Sequence, residues 1–127
     1  MKKLIMVLVA LFCAANIFAL TYKTTQFYHR EKTAHGWTEW VAERSDMRID
    51  LEGSVLTIYS PIQQTYQIYS PREPYRDAEG DEGFECYFID QDGDKGRVEF
   101  IYRNKTNTAQ VYIRFGNIQW AYDLIPY

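Results

Sequence analysis

The sequence predicts an all-β domain: an antiparallel meander of about eight or nine short strands closed into a small, calycin-like barrel, with a two-sheet sandwich as the alternative. Three observations predict it. Beyond residue 19 the chain holds 11 Tyr, 5 Phe and 3 Trp among many Thr, Ile and Val, residues that suit a pleated, half-buried surface. Apolar residues recur with period two, and no run of 11 or more residues carries them at the three-and-four spacing of a helix. Turn residues fall between the alternating runs.

The first two strands are expected at about 22–29 and 37–43. Over 47–51, Met47, Ile49 and Leu51 share a face opposite Arg48, Asp50 and Glu52. Glu52-Gly53-Ser54 then turns the chain into 55–60, and a further strand covers 64–69. Strand 84–90 leads through Asp92-Gly93-Asp94-Lys95-Gly96 into 97–103, where Val98, Phe100 and Tyr102 oppose Arg97 and Glu99. Asn104-Lys105-Thr106-Asn107 leads into 109–115, with Ala109, Val111, Ile113 and Phe115 on one face and Gln110, Tyr112 and Arg114 on the other. Gly116-Asn117 is a two-residue hairpin turn, since both residues tolerate positive φ. It opens 118–124, with Ile118, Trp120, Tyr122 and Leu124 opposite Gln119, Ala121 and Asp123. Residues 70–83 hold two prolines and two glycines without apolar periodicity and read as a long loop, of the kind that is often functional or disordered. Closing the sheet removes the edge-strand hazard of so aromatic a chain.

Met1-Lys2-Lys3, an apolar run from Leu4 to Phe18 and a final Ala19 read as a cleaved secretory signal peptide over residues 1–19, leaving 20–127 as one all-β domain. The apolar run is short for a membrane span, and no transmembrane segment is expected after cleavage. The expected destination is the periplasm or the cell exterior. Loss of Lys2 and Lys3 leaves 12 basic and 17 acidic residues, a net charge of −5. That balance argues against nucleic acid, whose partners need basic surface to displace counterions. It argues equally against an anionic membrane surface. Cys86 is the one cysteine left, so no intramolecular disulfide is expected, and it reads as a small apolar residue on an inner face.

Catalytic signatures are missing. The chain has no G-x-S-x-G, no H-E-x-x-H, no glycine-rich phosphate loop and no C-x-x-C. His29 and His35 read as structural or exposed residues, and among the many acids no pair is singled out for glycoside hydrolysis. Asp77, Glu79, Asp81, Glu82, Glu85, Asp90, Asp92 and Asp94 are crowded together, and Asp90-Gln91-Asp92-Gly93-Asp94 has a superficial likeness to a calcium loop. Its glycine is misplaced for an EF-hand and a strand follows at Arg97, so it reads as a hairpin turn. No catalytic residue, metal ligand or cofactor is therefore expected.

The aromatics are the best lead to a binding surface. Tyr59, Tyr69, Tyr87 and Tyr112 are expected on outward positions, where a tyrosine stripe would stack on sugar rings or anchor a protein. Trp37, Trp40 and Trp120 are candidates for lining a cavity or filling the barrel.

Gly36-Trp37-Thr38-Glu39-Trp40, Arg48-Ile49-Asp50-Leu51, Leu56-Thr57-Ile58-Tyr59-Ser60 and Gln64-Thr65-Tyr66-Gln67-Ile68 occur in that order. Cys86, Asp90-Gln91-Asp92-Gly93, Val111-Tyr112-Ile113 and Trp120-Ala121-Tyr122-Asp123-Leu124 follow. Together this resembles a family of small, signal-peptide-bearing secreted proteins of Bacteroidota. The resemblance implies export from a Gram-negative cell and an all-β domain, and it brings no activity, cofactor or catalytic residue. The expected function is that of an exported, monomeric, non-enzymatic binding module for a glycan, peptide or protein, contacted through the outward tyrosines or the 70–83 loop. A lipocalin-like carrier of a small apolar molecule and a proteinaceous enzyme inhibitor are the alternatives.

Overall fold

The computed structural model describes residues 19–126, which form a closed antiparallel barrel. The leader expected over 1–19 lies outside the described residues, apart from Ala19 at the start of the first strand. The strands are β1 (Ala19–Thr33), β2 (Gly36–Trp37), β3 (Val41–Arg44), β4 (Arg48–Glu52), β5 (Val55–Ile58), β6 (Gln64–Tyr69), β7 (Tyr75–Arg76), β8 (Glu82–Asp90), β9 (Lys95–Arg103), β10 (Thr108–Phe115) and β11 (Ile118–Pro126). β1, β4, β5, β6, β8, β9, β10 and β11 pair in chain order, and β11 returns to β1 from Tyr22↔Pro126 to Glu31↔Ile118. The topology is therefore up-and-down, and closure selects the barrel over the sandwich.

The predicted alternation decides which side chains face in. Val98, Phe100, Tyr102, Ala109, Val111, Ile113, Tyr122 and Leu124 are all buried in one core with Ile49, Leu51, Leu56, Ile58, Ile68, Phe84 and Phe88. Cys86 is fully buried among them, as an inward position should be. Aromatic rings fill the interior in mutual contact, with centroids 5.0 Å apart for Phe84 and Phe100 and 4.8 Å for Tyr66 and Phe88. Each large apolar side chain removed from water contributes roughly 1.5–3 kcal/mol. Charged residues such as Arg97, Glu99, Arg103, Arg114 and Asp123 take the outward positions. A transmembrane barrel has the opposite arrangement, with an apolar outer band.

β1 is longer than its predicted span of 22–29 and has a second role. β11 lies along one side of it, while β4, β3 and β2 succeed one another along the other. The pairing changes phase from Lys32↔Trp37 to His29↔Val41 and again from Gln26↔Arg44 to Lys23↔Arg48. Residues 36–52 are thus one return strand interrupted by two irregularities, where two separate strands over 37–43 and 47–51 were expected. β1 also carries a bulge between Thr24 and Gln26. A bulge reverses the side-chain phase beyond it, so Tyr22 and Thr24 face in before it and Phe27 after it. The fully buried Thr24 stays hydrogen-bonded: its Oγ1 accepts from the Met47 N–H at 2.8 Å and meets Ser45 Oγ at 2.7 Å.

The segment 70–83, expected as a long loop, contains the short strand β7 and is laid against the barrel. β7 pairs with β8 through Tyr75↔Gly83 and Arg76↔Glu82. Gly83 leaves room for the Tyr75 ring, since a Cβ there would come within 2.7 Å of Tyr75 Oη and of the Phe100 carbonyl. The Asp77–Asp81 and Asp90–Asp94 loops are built alike. In each, the first aspartate accepts through Oδ1 from the N–H groups two and four residues on, at 2.8–3.0 Å. The glycines at +3, Gly80 and Gly93, have φ of +85° and +84°. The carboxylates of Asp77 and Asp90 are turn-closing groups, consistent with the hairpin reading of 90–94.

A candidate ligand cleft on the outer barrel face

The two-residue turn at Gly116-Asn117 sets the β10–β11 register and places Tyr112 beside Ala121 and Gln110 beside Asp123. Barrel closure adds Tyr28 beside Ala121 and Gln26 beside Asp123. Tyr112, Ala121 and Tyr28 therefore form one outward row across β10, β11 and β1. Ala121 is 1% exposed although it faces out, because larger neighbours rise around it. The result is an open cleft of about 290 Å³ lined by Tyr28, Trp40, Gln110, Tyr112 and Ala121.

Trp40 forms a second wall. It lies in the irregular stretch between β2 and β3, and its ring meets that of Tyr112 edge-on at 6.1 Å and 79°. The two rings make an almost right-angled aromatic corner. Trp40 keeps 38% of its surface exposed and Trp37 keeps 37%, so both stand outside the barrel instead of filling it. Trp120 faces inward and packs against the core through Phe115, at 5.8 Å.

One end of the cleft is a hydrogen-bonded chain that crosses four strands. Tyr28 Oη donates to Asp123 Oδ2 at 2.7 Å, and Gln110 Nε2 donates to Asp123 Oδ1 at 2.6 Å. Gln110 Oε1 accepts from Arg103 Nε at 2.8 Å and from Tyr112 Oη at 3.2 Å. Arg103 Nη2 donates to Tyr112 Oη at 3.0 Å, and its Nη1 reaches Asp81 Oδ2 at 3.1 Å. Burial and the Asp123 carboxylate push the Tyr28 hydroxyl up to about 12, so it stays a donor at neutral pH. The Asn104 N–H, 2.8 Å from Asp81 Oδ1, and then Arg103 hold the Asp81 carboxyl below its usual range. Asp81 thereby ties the 77–81 loop to the start of the β9–β10 turn and holds Arg103 at the cleft.

Outward guanidinium groups grip the aromatic walls. Arg30 lies 4.9 Å from the Trp37 ring centre and 4.5 Å from that of Trp40. Arg114 lies 5.0 Å and Arg103 5.9 Å from Tyr112. These contacts pre-order the walls, which lowers the entropy lost when a ligand seats.

The four tyrosines singled out from sequence do not form one stripe. Tyr69 and Tyr87 are cross-strand neighbours and stack at 5.9 Å. Tyr112 is in the cleft, two strands away from that pair. Tyr59 lies beyond the other end of the β5–β6 ladder, under the Arg48 guanidinium at 5.3 Å. Trp40, a sequence candidate for lining a cavity, does line the cleft, whereas Tyr28, Gln110 and Ala121 were not singled out. The signal for two of them was the hairpin register, which places a small Ala121 next to Tyr112 on the outer face.

Two other depressions lack these features. One of about 440 Å³ is lined by Lys23, Thr24, Thr25, Arg44, Ser45, Asp46 and Ile125, without an aromatic ring. One of about 160 Å³ lies between Ile62–Tyr66 and Asp90–Asp92. Among the described residues no group of three or more His, Cys, Asp or Glu side chains is placed to hold a metal ion. No protein-family model, curated protein or solved structure matches the chain.

Proposed function

We propose that the chain is an exported, non-enzymatic binding module that takes a glycan in the outer-face cleft. The observation that carries this reading is the aromatic corner of Trp40 and Tyr112 above Ala121, ending in the Asp123–Gln110–Arg103 chain. A sugar ring presents an apolar C–H face and equatorial hydroxyls. The first stacks on an aromatic ring, and the second pair with fixed planar donors and acceptors. Export follows from the leader-like residues 1–19.

Two observations favour this cleft over the other sites considered. The carrier reading needs space inside the sheet, whereas the interior is occupied by touching rings such as Phe84 on Phe100 and Phe88 on Phe115. The inhibitor reading needs a projecting 70–83 loop. That segment is held down by Tyr75 Oη donating to Glu99 at 2.5 Å, by Arg72 N–H donating to the Glu85 carbonyl at 2.8 Å, and by Asp81.

The test is a glycan array probed with the protein and with Trp40→Ala and Tyr112→Ala. Binding of a glycan class that either substitution abolishes, with the fold intact by circular dichroism, is the expected result. A protein that binds no glycan, or binds one equally well in all three forms, overturns the proposal.

A further inference from the structure

Among the described residues, the arginines divide sharply by their partners. Arg48, Arg72, Arg76, Arg97, Arg103 and Arg114 each have a carboxylate oxygen within 4.0 Å. Arg44 has none and is an exposed surface residue at the edge strand β3. Arg30 also has none among the described residues, yet it is half-buried and tightly held. Its guanidinium lies over both the Trp37 and the Trp40 ring, and its Nε donates to Gln119 Oε1 at 2.9 Å. That bond uses the inner edge of the fork. The two Nη groups have no hydrogen-bond partner among the described residues.

A guanidinium fixed in this way is a poor choice for mere solubility and a good one for an anion. The planar fork matches a carboxylate or sulfate with two parallel hydrogen bonds, and the indole contacts and the Gln119 bond restrict its rotation. Position agrees with chemistry. Arg30 pairs with Gln119, and Gln119 with Arg114, in the outward row adjoining Tyr28, Ala121 and Tyr112. Trp40 joins the two rows by touching both Arg30 and Tyr112. The carboxylates that are cross-strand neighbours of Gln110 and Tyr112 are already occupied: Asp123 by Tyr28 and Gln110, Glu99 by Tyr75 and Arg114. A cationic ligand would be repelled by the positive charges of Arg30, Arg103 and Arg114 beside the aromatic walls.

We infer that the glycan taken by the cleft is acidic, its anionic substituent seating on the Nη edge of Arg30 while a ring stacks in the Trp40–Tyr112 corner. The inference rests on the glycan reading above and narrows it to one chemical class. The protein's own net negative charge gives no general attraction for such a polymer, so recognition must be local.

The test uses matched polymers at near-physiological salt: polygalacturonate against its methyl ester, and dextran sulfate against dextran. The full chain is compared with Arg30→Gln, Arg30→Lys and Arg44→Gln. At least tenfold tighter binding of one acidic polymer over its neutral partner is expected. Arg30→Gln should remove that preference, and Arg30→Lys should restore only part of it because an ammonium lacks the fork. Arg44→Gln should change nothing. Equal binding of acidic and neutral partners, or a preference that survives Arg30→Gln, overturns the inference while leaving the glycan reading standing. Failure to bind any of the four polymers, together with a silent glycan array, overturns both.

Discussion

Replacing Asp81 by alanine removes two hydrogen bonds to a buried carboxylate, from the Asn104 N–H at 2.8 Å and from Arg103 Nη1 at 3.1 Å. The Asn104 N–H then loses its acceptor, and Arg103, a third exposed, turns partly to water. Stranding such groups costs about 1–3 kcal/mol. For a domain of this size each kcal/mol lowers Tm by about 4–8 °C. The loss must also depend on pH. The folded-state pKa of Asp81 is depressed, chiefly by the Asn104 N–H and then by Arg103. Its contribution is therefore fully present above the unfolded value of about 3.9 and fades as pH falls through the lower folded value. Thermal melts of the protein and of Asp81→Ala, taken from pH 7 down to pH 2, should show a gap that is constant above about pH 4.5 and narrows below it. A gap that is absent at pH 7, or that stays constant to pH 2, would refute the reasoning. Asp81→Ala should also weaken ligand binding, because Arg103 loses the anchor that holds it against Gln110 and Tyr112.

Tyr112→Ala should cost at least tenfold in glycan affinity, read by calorimetry, whereas Tyr59→Ala and Tyr87→Ala should leave it within twofold, since both lie away from the cleft. Ala121→Leu fills the cleft floor and should abolish binding, and the variant's melting curve should show it still folded. Phe84→Ala, inside the barrel, should lower stability by about 3–5 kcal/mol in urea titration. Gly96→Ala should cost about 1–3 kcal/mol by the same assay, because its Cβ would come within 2.5 Å of both the Arg114 carbonyl and the Phe88 ring.

The strands that carry the cleft were legible because their alternation is unbroken. Val98 to Tyr102, Ala109 to Ile113 and Tyr122 to Leu124 face inward as the period-two pattern requires. The β10–β11 register followed from Gly116-Asn117, so the Tyr112–Ala121 and Gln110–Asp123 neighbours were implicit in the sequence. The remainder depended on long-range geometry. The Thr25 bulge reverses the phase of β1, which hides from any local reading that Tyr22 and Phe27 face the same interior. Irregular pairing on either side of β3 places Trp37 and Trp40 outside the barrel, where composition suggested interior filling. The 70–83 segment lacks periodicity because single residues hold it, namely Tyr75 on Glu99 and Asp81 on Arg103. The tyrosine stripe failed as a unit because outward facing is a property of a strand, while adjacency depends on which strands are neighbours.

Where a ligand lands on the barrel decides between the outer cleft and every other site. The decisive measurement is a titration of isotope-labelled protein with the best-binding acidic glycan, followed through backbone amide and indole resonances. Shifts are expected at Tyr28, Arg30, the Trp40 indole, Gln110, Tyr112 and Ala121. Shifts confined to interior positions such as Ile68, Phe84 and Phe100, or to residues 70–80, with the cleft silent, would contradict the outer-cleft reading.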